Sequence, residues 1–504
     1  MAFESNNFVV AKKTRLAKST FTVECNVMVG QNISKILSTS LCANVLSSEV
    51  LSGTVNYSGT IDAKIIFLSE DGQINTACSS CPFSSKFESE NIENGQNVSV
   101  NVKIVDFYAD SISGESAKIS VTLEQSATLS CNREIRSISS RDDDVCCKND
   151  EITVIKFLGS ATENVEVASE INIREKINKI LLSESGVVLK SVESGVNFVT
   201  VMGEVSTKVL YYSENEKFES GYVYDSFKEE IELEGVTRDD FVEGRATVVQ
   251  ENVTAEIVED EKGCRIVVKV PVKITVNAFG EQNIAVVKDL YSVKSDIKVT
   301  TESYDFTCVC PVSTVESKIE GSLSLEDDRP RVDKILFNAG NSVTVTNSYC
   351  NDGEVFVEGI ARTTVVYLND EDGGLHSAQI DVPFTISDKF DCPEGGSLAV
   401  DAVVYDVDVA VKKGRDLFYD ARVKASINYC YDKTNAIISE AVEDGEYPQK
   451  DYAMEVVFAH AGMDSWEIAK TARVTEEQLT AQNAGVTFPL AEDASLILFY
   501  QKVQ

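Results

Sequence analysis

Apolar and polar residues alternate through Val199-Thr200-Val201-Met202-Gly203-Glu204-Val205-Ser206-Thr207-Lys208-Val209-Leu210-Tyr211. Successive side chains of a strand point to opposite faces, so Val199, Val201, Gly203, Val205, Thr207, Val209 and Tyr211 share one face. Glu204, Ser206 and Lys208 share the other, which suits water. The pattern predicts a strand with one face on a core. Gly203 in its middle predicts a bend, a bulge or a close backbone approach.

The pattern occurs twice more, as Val55, Tyr57, Gly59, Ile61, Ala63, Ile65, Phe67 and as Val355, Val357, Gly359, Ala361, Thr363, Val365, Tyr367. Each copy has an aromatic eight residues after the glycine. A Lys-Ile-Leu triplet precedes each glycine, at Lys35-Ile36-Leu37, Lys179-Ile180-Leu181 and Lys334-Ile335-Leu336. A later aromatic follows, at Phe83, Phe227 and Phe384. The glycines are 144 and then 156 residues apart. That period is too long for a solenoid unit and has the size of a domain.

Other alternating runs fill in each copy. Val98, Val100, Val102 and Ile104 answer Ala117, Ile119, Val121 and Leu123 across a Ser113-Gly114 turn. Ile266, Val268, Val270, Val272, Ile274 and Val276 form another strand, with Pro271 on its polar face pointing to a sheet edge. The predicted fold is mainly β: three repeated antiparallel β-sandwich or open-barrel-like domains, then a small βααβ domain. The expected boundaries are a basic arm at 1–19, β-domains at 20–135, 155–295 and 296–436, and a last domain at 452–504. Polar stretches at 136–154, holding Arg141-Asp142-Asp143-Asp144, and at 437–451, holding Gly445 and Pro448, read as linkers. In the last domain, Thr475 with Gln478 predicts a capping box at the start of a helix. Trp466, the only tryptophan, reads as that domain's core.

Composition narrows the function classes. The chain has 504 residues and a formal charge of −35. Nucleic acid and anionic lipid bind through Lys and Arg, so both are unsuited partners. No stretch is apolar for long enough to span a membrane, and Met1-Ala2-Phe3-Glu4-Ser5 begins no export signal. Thirteen scattered cysteines fit a reducing cytoplasm. Cys78-Ser79-Ser80-Cys81 has the spacing of half a zinc site, but no second pair and only two histidines exist to complete it.

Neither His376, in an expected loop, nor His460 belongs to a recognisable catalytic set. No phosphate-binding loop, dinucleotide fingerprint or zinc-protease motif occurs. Asp142-Asp143-Asp144 and Asp370-Glu371-Asp372 lack the ligand spacing of a calcium loop. The expectation is a protein that is not an enzyme and needs no cofactor or metal.

Two resemblances sharpen this. Ala461-Gly462-Met463-Asp464-Ser465-Trp466-Glu467-Ile468-Ala469-Lys470, with Val474-Thr475-Glu476-Glu477-Gln478-Leu479 and Asn483, resembles a LysM domain. The family's glycine-aspartate-threonine turn is replaced here by Gly462-Met463-Asp464-Ser465, and the last strand lacks the usual proline. The three copies, by the Gly203-to-Tyr211 strand, its counterparts and Pro383-Phe384, resemble SPOCS domains, formerly a domain of unknown function. SPOCS domains followed by LysM occur in clostridial spore-coat morphogenetic proteins.

The resemblance implies a scaffold made in the mother cell and recruited to the forespore surface. It would dock through the LysM-like domain on the coat basement-layer ATPase, with other coat proteins as partners and self-association open. It places the binding surface, for protein or glycan, at Gly462, Met463, Asp464, Ser465, Asn483, Ala484 and Gly485. The alternative is a cell-wall protein that binds N-acetylglucosamine glycan of peptidoglycan.

Overall fold

The computed structural model describes residues 3–111, 115–140, 142–173, 175–260, 263–371, 373–389, 393, 396–448 and 450–500. The chain opens with β1 (Phe3–Ser5), β2 (Phe8–Arg15), β3 (Ser19–Met28), β4 (Ile33–Leu51), β5 (Thr54–Ser69), β6 (Ile74–Glu88), β7 (Asn97–Ser111), β8 (Ser116–Ile135) and β9 (Ile138–Ser140). β4, β5 and β6 form an antiparallel meander. β8 is the spine of a second sheet, with β3 and β2 end to end on one side and β7 on the other. The two sheets bury Ile61, Ile65, Phe67, Ile119 and Leu123 between them. Their edges also meet, β4 with β7 and β6 with β3, so the sandwich is closed at its sides.

A second sandwich uses β10 (Val145–Ile173), β11 (Ile177–Ser194), β12 (Phe198–Ser213), β13 (Phe218–Glu232), β14 (Phe241–Val248), β15 (Thr254–Asp260) and β16 (Gly263–Ser292). The meander is β11–β12–β13 and the spine is β16. A third uses β17 (Ser295–Val309), β18 (Ser313–Ser324), β19 (Val332–Asn351), β20 (Glu354–Asn369), β21 (Leu375–Lys389), β22 (Ser397–Lys412) and β23 (Asp416–Glu446). Its meander is β19–β20–β21 and its spine is β23. The chain ends with β24 (Met454–Ala459), α1 (Ser465–Ala472), α2 (Glu476–Gln482) and β25 (Ala494–Phe499).

The glycine and the later aromatic of the sequence pattern are two halves of one contact. Gly59 pairs with Phe83, Gly203 with Phe227 and Gly359 with Phe384. At each glycine a Cβ would overlap the partnered phenylalanine ring and a backbone carbonyl of the preceding strand. Glycine lets the ring lie flat over the strand.

Several expectations are corrected. Residues 145–154, expected as linker, begin β10, and residues 437–446 end β23. They read as linker because each belongs to a two-stranded ribbon with few buried positions, not to a sandwich face. The expected arm likewise contains β1 and β2, held by pairing with β9 and β8. His376 stands on β21 beside Tyr367 rather than in a loop. Pro271 is on a central strand. Its carbonyl accepts from Val249 N at 2.9 Å, so its nitrogen faces the break between β14 and β15, where no ladder bond is needed.

The polar face of β12 meets protein, not water. Lys208 is 7% exposed and donates to Asn338 O at 2.8 Å. Burial lowers its pKa to about 8. Glu204 pairs with Lys424 at 3.1 Å. Both contacts cross to the third sandwich.

All three sandwiches meet along one line. At one end Leu37, Leu181 and Leu336, the last residues of the Lys-Ile-Leu triplets, each sit in a β-bulge. They form one apolar cluster with Ile66, Leu210 and Val366. Further along, Arg245 Nη2 donates to Asn101 Oδ1 at 2.5 Å and meets Asp401 Oδ1 at 3.2 Å. Asn101, Arg245 and Asp401 are spaced by the same 144 and 156 residues as the glycines. Beyond them the ribbons β2–β8, β10–β16 and β17–β23 run together. They share Phe8, Val10, Ile135, Val154, Val286, Tyr304, Phe306 and Ile437, and then Ile138, Val287, Leu290, Ile438 and Ala441.

Candidate functional site

The far tip of the β10–β16 ribbon carries the C-terminal βααβ unit. Trp466, on the first turn of α1, is buried against Tyr291 of β16, ring centroids 4.9 Å apart at 68°. Its indole N–H donates to Asp289 Oδ2 at 2.8 Å. Lys470, one helical turn on, donates to both oxygens of the same carboxylate, at 2.6 and 2.8 Å. Burial opposes ionisation of Asp289, but the Lys470 and Trp466 hydrogen bonds overcome it and its pKa falls below the ordinary carboxylate value. Tyr291 donates to Val474 O at 2.8 Å. Burial first, and then its hydrogen bond with Cys146, hold the phenol well above its usual pKa. Trp466 is thus core, as expected, and also joins the unit to the second sandwich's ribbon.

The predicted binding residues lie at two places. Gly462 is at φ 89° and donates to Leu490 O at 2.8 Å, while Leu490 N donates back to Met463 O at 3.0 Å. Asp464 caps α1 by accepting from Glu467 N at 2.8 Å, and Glu467 returns the capping box. The cap bond and then Lys148 of β10, at 3.0 Å, lower the Asp464 pKa. Ser465 Oγ donates to Glu476 Oε1 at 2.5 Å, at the start of α2. Asn483 closes the other end of α2, and Ala484 and Gly485 follow it, exposed. The two predicted loops therefore flank the seven-residue α2. Leu490 is what meets the Gly462–Met463 turn, a contact that no local spacing signals. The Thr475–Gln478 capping box forms as the spacing predicts.

Sequence reasoning passed over the outer face of the β24–β25 hairpin. Met454, Val456 and Phe458 alternate along β24, with Ile497 and Phe499 opposite on β25. All five are exposed, Phe458 by 78% and Phe499 by 59%. The other face packs Val457, Ala459, Leu496 and Leu498 on the helices. An alternation legible as a strand thus has apolar residues on both faces. Contiguous exposed apolar surface of this kind marks interaction sites.

Other candidates resolve into structural pairings. A cavity of about 680 Å³ opens where the sandwiches meet, lined among others by Lys13, Lys103, Glu243, Arg245 and Asp401. Lys13 pairs with Glu243 and Arg245 with Asp401. Cys78 is exposed and Cys81 is buried beside Cys25, as residues three apart on a strand must be, so they cannot ligate one metal together. Among the described residues no cluster of His, Cys, Asp and Glu is placed to hold a metal. Cys350 is disulfide-bonded, whereas Cys392 lies outside the described residues. Of the two acidic runs, Asp144 pairs with Lys294 at 2.5 Å, and Asp372 lies outside the described residues. His460 lies by Asp493 at 3.5 Å, on the surface. No helix among the described residues is long and apolar enough to cross a membrane.

Residues 32–112 match the family model described as SipL, SPOCS domain. The matched stretch runs from β4 to the end of β7. No curated protein and no solved structure matches the chain.

Proposed function

We propose that this chain, SipL-like by the SPOCS domain at residues 32–112, is a non-enzymatic scaffold for spore-coat assembly that docks on a coat ATPase through its C-terminal unit. In this reading the three sandwiches are copies of one SPOCS domain, closed into a ring, and the βααβ unit is LysM-like. The chain works in the mother cell at the forespore surface.

The observation that carries docking is the exposed apolar face of β24 and β25 on an otherwise strongly acidic chain. A sugar would instead use the Gly462–Ser465 turn, and there Asp464 is already engaged by Lys148. Protein docking is the better-supported reading.

The test is capture by the immobilised full-length chain from sporulating-cell lysate, with mass-spectrometric identification, beside co-sedimentation with peptidoglycan sacculi. Retention of a coat ATPase without sacculus binding is the expected result. Sacculus binding with no protein partner overturns it in favour of a wall-binding protein.

A further inference from the structure

The two edges of the β24–β25 sheet are finished differently. Tyr500 N donates to Ala453 O at 2.9 Å, which makes that a hydrogen-bonded pair. Antiparallel ladders alternate bonded and non-bonded pairs. Met454–Phe499, Val456–Ile497 and Phe458–Ser495 are therefore the pairs whose backbone groups point outward. On β25 two of these residues are occupied. Asn483 donates to Ile497 O and accepts from Ile497 N, both at 3.0 Å. Gln482 does the same for Phe499, at 3.2 and 2.6 Å. Two side-chain amides thus stand in for a neighbouring strand. On β24 the outward groups of Met454, Val456 and Phe458 meet no described residue, because β24 pairs with β25 alone.

We propose that the open edge of β24 is a strand-addition site for an extended segment of a protein partner, alternately apolar and flanked by Lys or Arg. The inference rests on the docking reading above and names its mode. An added strand would bond the free backbone groups of Met454, Val456 and Phe458. Its outward side chains would lie beside those three residues and extend the apolar face.

Charge selects the occupant. Asp451 precedes β24, and Glu492 and Asp493 lie at the other end of the edge. Residues 450–500 carry eight carboxylates against three Lys and Arg. A second copy pairing edge to edge would bring like charges together, whereas a segment with basic ends neutralises them.

Val456→Pro is the test variant. It removes an outward donor and no internal bond, and proline is tolerated on edge strands in that position. Trp466 fluorescence verifies that the unit stays folded and docked. Full-length wild-type and V456P chains would be titrated with the purified coat ATPase. In parallel they would be titrated with a short peptide of alternating valine and threonine bearing lysines at both ends, and with its glutamate-ended counterpart. Amide exchange would be followed at Met454, Val456 and Phe458.

The wild type should bind the ATPase and the lysine peptide with protection of those amides, and the glutamate peptide should fail. V456P should weaken both interactions by about tenfold or more. ATPase binding that ignores V456P and protects none of the three amides overturns strand addition but leaves docking intact. Protection that rises with chain concentration alone overturns it in favour of self-pairing. If the ATPase does not bind, the docking reading falls and the peptide decides: binding lost in V456P supports the edge site, and no peptide binding overturns it.

Discussion

The three-sandwich body and the C-terminal unit solve the same problem in opposite ways. Both are built from strands with apolar faces. In the body the spine strands have neighbours on both sides within each sandwich, sheet edges meet, and even the polar face of β12 is used between sandwiches. In the C-terminal unit one edge is sealed by Gln482 and Asn483 and the other is left open beside a bare apolar face. Exposed edges invite association, and the outer edge of β24 pairs with no described strand.

The comparison can be broken most forcefully at the joint between the two regions. Trp466→Ala removes the stack on Tyr291 and the bond to Asp289, at a cost of about 4 kcal/mol to the docked unit. Hydrogen exchange should rise across residues 450–500 and stay unchanged in the sandwiches. Uniform exchange throughout would mean that the two regions unfold as one.

Leu210→Ala, where the sandwiches meet, should cost about 3 kcal/mol and lower the denaturant midpoint of the body, with the exchange of the C-terminal unit preserved. Asp289→Asn acts less, by about 1 kcal/mol, since it keeps an acceptor for Trp466 but loses the charge facing Lys470. The carboxylate also predicts a pH response. Its folded pKa is depressed, so its contribution is complete above the unfolded value of about 3.9 and is lost as pH falls through the lower folded one. Trp466 emission should shift in that acid range in the wild type, and the Asn variant should lose this component. Smallest of all, Phe458→Ser should change stability by no more than about 0.5 kcal/mol, because Phe458 contacts mainly water. Its thermal midpoint should match the wild type while partner capture weakens.

The sequence carried the fold furthest where one strand has two different faces. The alternation at Val199–Tyr211 locates a core strand, and the glycine with its later phenylalanine marks the register of each meander. It failed where burial is shared between distant segments. Cys147 and Ile152 look like linker because their partners lie on other ribbons, not on a facing sheet. The candidate site was half legible. Helix caps at Asp464 and Thr475 are local and can be read from spacing. The pairing of Trp466 with Asp289 spans 177 residues, and the sealing of β25 by side-chain amides has no pattern of its own.

The cluster where the sandwiches meet also sets a clock. Leu37 comes from the first sandwich and Val366 from the third, so the cluster is completed only when the third meander has emerged. At cellular elongation speeds of roughly 5–20 residues per second, that is a wait on the order of tens of seconds. Until then Leu37, Ile66, Leu181 and Leu210 stand uncovered on a growing chain. A ribosome stalled after β16 would release a product whose stickiest surface is the one the finished protein hides, and synthesis of the third sandwich is the step that retires it.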